Sequence, residues 1–599
     1  MKKIGLLIIP FLFLGLISCS RKENVDNNTN ISDNSDSSQN NNSDTSKSDN
    51  TDTDNTSGSD TGKSDNTDKD NTSGSDTGKS DSTDKDNTSG SDTGKSDSTD
   101  KDNTIGSDTD KSDNTDKDES TDNTDDTKEY AILNAYNYNN DSLATTIKVD
   151  INDLNVSVKS FSGYSFTGIY NEKSHTSYFD FSNIKKDKTY NVYFDYQKNQ
   201  TSNNASVISY VDDLISNTTS YIPKWNAEGF KGRFNYIDGV FLKSMIDLYN
   251  NTTNKKYMDF VVKYVNYYID STGTFIYYKD KKSSEGEANN SKGFKSGELD
   301  TICECQVLFD LYDYTKDSRY INAIEYAYSQ LNNMTRCSGT SNFNHKETYK
   351  NQIWLDSMYM YAPFLTRYAS YKNDDSIFDL IKEQYTYLID NMKDESGLYV
   401  HGYDTTKTIF WCDENGKSKN VWLRSLGWLA ASLCDVYTYT RSQDRDFYKN
   451  ILKDLLDNLK KYRDTTTNMY YQLPTLGNQT FMVDNFYLKN NDSYGDIKTI
   501  VPNYLESSGS SLIAYATLSY ANISGDETYL TDGKAIFDGV YNKSFSSSGL
   551  KDICIQSGLG PETNTYRDGS VSYYLSEDKG ENDAKGLGPF LMAYTKYIK

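Results

Sequence analysis

Apolar residues fall into four rhythms along the chain, and each rhythm predicts a different kind of structure. Behind Lys2 and Lys3 runs an apolar stretch from Ile4 to Ile17. It is shorter than the ~20 apolar residues of a spanning helix, and its basic flank is that of an export signal over 1–18. Hydrophobicity then all but vanishes: Val25, Ile31 and Ile105 are the apolar side chains of residues 21–127, which contain no aromatic residue. Such a segment cannot bury enough surface to offset its ordering entropy, which predicts a disordered linker over 19–127. A unit of sixteen residues repeats within it from Ser57, Ser73, Ser89 and Ile105, but without the apolar face on which a solenoid stacks. From about Tyr130 to Gln200 the apolar positions alternate, as in Ile147-x-Val149-x-Ile151 and Tyr190-x-Val192-x-Phe194. Period two with Asn, Asp, Lys and Gly clusters between the runs predicts a small antiparallel β-sandwich over 128–200. Its aromatics suit cross-strand packing better than sugar binding, so it reads as a spacer.

After residue 200 the period becomes helical, opening with Val207, Tyr210, Val211 and Leu214. Leu248-Tyr249 with Thr252, Lys256 and Tyr257 recurs as Leu311-Tyr312 with Thr315, Arg319 and Tyr320, and looser copies run from Tyr437 to Tyr448 and from Tyr520 to Tyr529. Helix, tight turn and helix, repeated over 201–599, is what a ring of αα-hairpins requires, because each hairpin buries its apolar stripe only against its neighbours. An (α/α) toroid is expected, with an open α-solenoid as the alternative.

Charge sharpens the division. Residues 21–127 carry 29 Asp/Glu against 11 Lys/Arg, which accounts for −18 of the net −24. No basic footprint for nucleic acid exists. As a flexible coil the linker would span on the order of 55–60 Å, and its self-repulsion would extend it, which suits a tether. The six cysteines after Cys19 lack Cys-x-x-Cys spacing, so buried thiols are expected, and no His/Cys/Asp cluster has metal-ligand spacing. Neither a metal nor an organic cofactor is implied.

Candidate chemistry gathers in the helical region. Histidine occurs only at His175, His345 and His401, the last two in carboxylate-rich segments that interrupt the helical pattern. Gly297-Glu298-Leu299-Asp300 and Trp354-Leu355-Asp356 each put an aspartate at the start of an apolar helix. Such a residue is usually a cap. Two of them on inner helices of a toroid would instead point into one mouth, where aromatics raise a carboxyl pKa and stack on sugar rings. Trp422-Leu423-Arg424-Ser425-Leu426-Gly427-Trp428 holds a guanidinium able to bind a carboxylate.

Taken in order, these segments resemble a known family. The series runs from Gly-Glu-Leu-Asp300 through His345-Lys346, Trp-Leu-Asp356, Gly-Leu-Tyr-Val-His401-Gly-Tyr-Asp404 and Trp422-x-Arg424-x-x-Gly427-Trp428. It continues with Asn503-Tyr504-Leu505-Glu506-Ser507-Ser508-Gly509-Ser510 and Arg567-Asp568-Gly569 followed by Tyr573-Tyr574-Leu575. Over roughly 225–599 it is similar to the unsaturated rhamnogalacturonyl and glucuronyl hydrolases of glycoside hydrolase families 105 and 88. The resemblance implies an (α/α)6 barrel that removes a Δ4,5-unsaturated uronic acid from lyase-generated oligosaccharides, most plausibly pectic ones, by hydrating C4=C5. It implies Asp356 as acid/base and Asp300 as the residue orienting substrate and water. His401 would hydrogen-bond the sugar or water, Arg424 with His345 would help to hold the unsaturated ring or its carboxylate, Trp354 and Trp428 would wall the site beside Trp422, and Tyr236 would face the substrate. Leu423, Ser425 and Leu426 depart from the family's small residues and are expected to reshape a subsite. An inverting glycosidase or lyase on the same barrel, or a sugar-binding lipoprotein without turnover, are the competing readings.

Leu16-Ile17-Ser18-Cys19 resembles a bacterial lipobox. It implies cleavage before Cys19, diacylation of its thiol and a lipid anchor on the outer face of a bacterial membrane; an ordinary signal peptide with an incidental cysteine is the alternative.

Overall fold

Three hairpin turns of the helical region are made where a hydroxyl side chain, Thr252, Thr315 or Ser524, bends back on its own helix. The computed structural model describes residues 129–599 except 138–142, 155, 160, 162–163, 175–176, 199–204, 217–233, 277, 280–290, 293 and 491–492. The export signal, Cys19, the linker 19–127 and His175 therefore lie outside the described residues. After α1 (Val207–Ser216) comes α2 (Tyr236–Thr252), which ends with Thr252 Oγ1 donating to the Leu248 carbonyl at 2.7 Å. Thr253 follows in the left-handed region at φ 57°, and Asn254 caps α3 (Lys255–Tyr268) by accepting from the Lys256 N–H. The same device closes the next hairpin. Past α4 (Leu299–Cys305), α5 (Val307–Thr315) ends with Thr315 Oγ1 on the Leu311 carbonyl at 2.7 Å; Lys316 has φ 58° and Asp317 caps α6 (Ser318–Asn332). Between α7 (Ser357–Lys372) and α8 (Asp375–Met392) the left-handed residue is Asn373 and the cap is Asp374. The copy at Tyr437 differs: α9 (Leu423–Tyr439) reaches α10 (Arg445–Leu459) through extended Thr440 and a 3-10 turn at Ser442–Asp444. At Tyr520 the device returns, with Ser524, Gly525 and Asp526 joining α11 (Ser507–Ser524) to α12 (Glu527–Ser544). These contacts occupy the carbonyls and N–H groups that helix ends otherwise leave unsatisfied.

After α13 (Val571–Ser576) comes the last helix, α14 (Ala584–Tyr597). Among the described residues, α2, α4, α7, α9, α11 and α14 pack each against the next, and α14 packs against α2. That last contact closes a ring and excludes the open solenoid. The inner helices are buried almost all round, as α11 is from Ser507 to Ala521, whereas α3, α6, α8, α10 and α12 bury one stripe each. The sixth outer place belongs to α1. It is tied to α12 by Tyr541 Oη donating to the Ala205 carbonyl at 2.7 Å, and to α3 by Lys256 Nζ, 2.6 Å from Asp212. The result is an (α/α)6 barrel.

The alternating region forms β1 (Tyr130–Asn137), β2 (Leu143–Asp150), β3 (Tyr164–Tyr170) and β4 (Thr189–Lys198). It corrects the antiparallel sandwich: this is one mixed sheet in the order β2-β1-β4-β3, in which β1 and β4 run parallel with Leu133 opposite Tyr190. Period two sets which face a side chain takes but not the direction of its neighbouring strand. Leu133, Val149, Ile169 and Val192 bury one face together with Phe179 and Phe181. Ile500 completes that core from a distant hairpin, Thr480–Asn490 and Ser493–Pro502, which belongs to the barrel's stretch of sequence. All six cysteines of the described residues are free thiols, five of them buried.

Candidate active site

Asp356 and His401 meet because two short strands join their segments. Gln352–Trp354 pairs antiparallel with Gly402–Asp404, and the Leu355 N–H then donates to the His401 carbonyl at 2.9 Å. Gly402 has no room for a side chain there, since a Cβ would lie 2.3 Å from Leu559. Asp356 begins α7 with helical backbone angles, and its carboxylate makes no capping hydrogen bond. The side chain is therefore free for other work at a helix N-terminus. His401, fully buried, holds Nε2 3.1 Å from Asp356 Oδ2, within ion-pairing distance but off the line of a hydrogen bond, so both atoms lack a hydrogen-bond partner among the described residues. His401 Nδ1 lies 2.6 Å from Tyr574 Oη, and its ring centroid is 4.7 Å from Trp422. Burial pushes the Tyr574 hydroxyl well above its ordinary value, so it remains a phenol.

Asp300 sits in the first turn of α4 with a contrasting set of partners. Lys346 Nζ donates to its Oδ2 at 2.6 Å and reaches Glu298 at 3.4 Å, while His345 Nε2 is 3.6 Å from Oδ1. Burial alone would raise the Asp300 carboxyl, but Lys346 and His345 outweigh it and hold it below the usual carboxylate range. Burial pushes His345 down to about 4, so its imidazole is neutral near pH 7. Its Nδ1 is 2.9 Å from Ser357 Oγ, and its ring stacks on Trp354 at 4.3 Å, with Tyr349 near-parallel to both rings, 5.0 Å from Trp354 and 6.3 Å from His345.

These groups line one cavity of about 330 Å³. Asp300, Asp356, His345, Trp354 and Tyr236 are on its wall, and Tyr236 is at the start of α2 with its hydroxyl pushed far up by burial and by Asp300. Four cations share the wall: Lys295, Lys346, Arg567 and Lys585, the last paired with Asp583 at 2.9 Å. The remaining expected residues are elsewhere. Arg424 is not on the cavity wall; it is 2% exposed, its Nη1 donates to Ser508 Oγ and to the Cys554 carbonyl, and its guanidinium lies 4.6 Å from the Trp422 ring. Trp428 packs behind the wall against Tyr236 and Tyr359, and Trp422 backs His401. Leu423, Ser425 and Leu426 are buried in α9 and are not on the wall of this cavity. His401 also stands behind the wall, reaching the cavity only through Asp356. Among the described residues, no group of three or more His, Cys, Asp and Glu side chains is placed to hold a metal ion.

The family model for Glycosyl Hydrolase Family 88 matches residues 210–480 and 496–599, more than half of the chain. The chain belongs to that family. This family 88 glycoside hydrolase is similar to Protein Atu3128 of Agrobacterium fabrum, 28% identical over 255 residues, which are 40% of this chain and 98% of that protein. The 24.9 kDa protein in the picA locus of Rhizobium radiobacter shows the same identity and coverage. A solved family 105 glycoside hydrolase from C. acetobutylicum ATCC 824 is 29% identical, with a TM-score of 0.53 over 65% of this chain and 98% of the other. The resemblance drawn from the motifs therefore holds at the level of family and fold. Among the residues on the family 88 cavity wall that were not sequence candidates are Arg567, Lys585, Lys346, Lys295 and Tyr349. Arg567 and Lys346 stood inside quoted motifs. Lys585 and Tyr349 carried no signal in sequence spacing.

Proposed function

We propose that this hydrolase removes a Δ4,5-unsaturated uronic acid from the non-reducing end of lyase-generated oligosaccharides by hydrating the C4=C5 bond. The observation that carries the reading is the opposite surroundings of two aspartates on one wall. Asp300 is neutralised by Lys346 and remains a carboxylate, whereas Asp356, among the described residues, has no lysine or arginine within ion-pairing distance and stands beside His401. In this reading the Asp356 carboxyl gives its proton to C4, and the cation at C5 is stabilised by the ring oxygen. The resulting Asp356 carboxylate takes a proton from the water that adds at C5. The product is a hemiketal, which opens to a ketone at C5 and releases the sugar at C1. No proton need reach the glycosidic oxygen first, unlike ordinary glycoside hydrolysis. In this reading the Tyr574 hydroxyl donates to His401 Nδ1 and the imidazole proton stands on Nε2, 3.1 Å from Asp356 Oδ2, which makes His401 a positioning residue. Asp300 orients water and sugar hydroxyls, Trp354 walls the cavity, and the cations, Arg567 among them, suit the uronate carboxylate.

The test follows the ultraviolet absorbance of the conjugated enol acid while the purified chain acts on lyase digests of pectic polymers. Loss of absorbance is expected, and Asp356→Asn should slow it by about 10²–10⁴-fold with folding intact, because the amide keeps the shape but has no transferable proton. A near-wild-type rate in that variant overturns the assignment.

The same reading places the enzyme on the outer surface of its cell, anchored at Cys19 and spaced by residues 19–127. Its support is Leu16-Ile17-Ser18-Cys19 behind a basic, apolar leader. A clickable fatty acid fed to the producing cells should label the wild-type protein and not Cys19→Ser; equal labelling of both removes the anchor.

A further inference from the structure

The face between the sheet and the barrel carries a second cavity, of about 650 Å³, which shares no lining residue with the first. Two large rings stand open on its sheet side: Phe161 is 44% exposed and Tyr164 45%. Exposed rings on a small sheet have a cost in water that packing does not explain. Phe161 is held rather than loose, its ring set edge-on against Tyr196 at 4.8 Å, and Tyr196 Oη donates to the Lys159 carbonyl at 2.8 Å. Asn478 and Gln479 line the same cavity, both exposed, and their side-chain amides have no partner among the described residues. Their loop is tied to buried Asn503, which donates to the Leu473 and Gly477 carbonyls at 2.9 and 2.8 Å.

The charges of this cavity do not cancel. Asp464 is occupied by Thr467 and Tyr471, and Asp552 lies 3.6 Å from Lys543. That leaves Lys159 and Lys579, neither with a carboxylate within ion-pairing distance among the described residues; Lys579 Nζ lies 5.1 Å from the Tyr504 ring centroid. Flat apolar faces, amides that both donate and accept, and a surplus of one positive charge, from Lys159, Lys543 and Lys579 against Asp464 and Asp552, are together complementary to a pyranose chain bearing carboxylates. We propose that this cavity is a second carbohydrate site, which binds the interior of a polyuronate chain and holds the enzyme to its polymer. The ligand class comes from the cavity's own rings and lysines and does not depend on the chemistry at Asp356.

The probe is polygalacturonate with no unsaturated end, and the readout is retardation of the purified chain in affinity electrophoresis, with neutral galactan as control. Retardation by polygalacturonate alone is expected. The paired substitutions Phe161→Ala with Tyr164→Ala, and Lys159→Gln with Lys579→Gln, should each weaken it about tenfold while turnover of a small unsaturated disaccharide and the circular dichroism spectrum stay as in wild type. No retardation of the wild type, equal retardation by neutral galactan, or unchanged retardation in both variants overturns the proposal. Because binding is read without turnover, failure at Asp356 and failure at this site give different results.

Discussion

At the scale of single residues, the two histidines of the barrel illustrate how burial divides labour. Both are nearly inaccessible, but His345 is set against Trp354 and Ser357, whereas His401 is set against Asp356 and Tyr574. Burial holds His345 down to about 4, against the opposing pull of Asp300. An unfolded imidazole takes its proton near pH 6.5, so between about pH 6.5 and 4 the unfolded chain binds more protons than the folded one. His345 stability is therefore fully present above pH 6.5 and is lost as pH falls toward 4, over a window worth about 3 kcal/mol. In His345→Gln the fall in thermal midpoint from pH 7 to pH 4.5 should be shallower than in wild type. Parallel declines in the two proteins would mean that the histidine titrates normally.

Elements decide which of the quoted motifs reach the site. The segment from Asn503 to Ser510 belongs to the series that carries the family resemblance, and its Glu506 is a helix cap: Oε2 accepts from the Gly509 N–H at 2.6 Å, and Oε1 from the Ser508 and Cys554 N–H groups at 3.1 and 3.0 Å. Glu506→Gln turns one acceptor into a donor facing buried N–H groups, and it removes the negative charge beside Arg424. A loss of about 2–4 kcal/mol in denaturant unfolding is expected, and a loss below about 0.5 kcal/mol would show that the cap is expendable. The same helix-level logic explains what was legible beforehand. Thr252 and Thr315 marked the hairpin turns because a local side-chain contact makes them, and Asp300 and Asp356 were visible because each opens an inner helix. Arg424 and Trp428 were misplaced for a complementary reason. Helix α9 is buried on every side, so its spacing marks no one face as the side that meets the cavity. Lys585 reaches the wall from the far end of the chain, through ring closure that no local pattern encodes.

At the scale of the whole molecule, the sheet and the barrel share a core through one hairpin. The sheet buries a single face, and Ile500, 3% exposed, fills it from the barrel's side with Met482 beside it. The hairpin backbone adds a polar tie, the Lys498 N–H donating to Asp180 at 3.2 Å. Period-two alternation in residues 130–198 announced that one face needed a cover, but the cover lies some three hundred residues away in sequence, which is why a self-contained sandwich was expected instead. Ile500→Asn puts an amide into that core with no partner in reach, a change worth about 2–5 kcal/mol locally. Its effect should be confined to the shared core, because the inner ring that carries Asp300 and Asp356 packs on itself. Limited proteolysis should then cut within residues 129–198 while 207–599 stays protected. Turnover of a small unsaturated disaccharide should persist, and polygalacturonate retardation should fall as the two walls of the second cavity separate. If the variant instead loses protection and turnover together across 207–599, the sheet is part of the barrel's own cooperative unit rather than a platform docked on it.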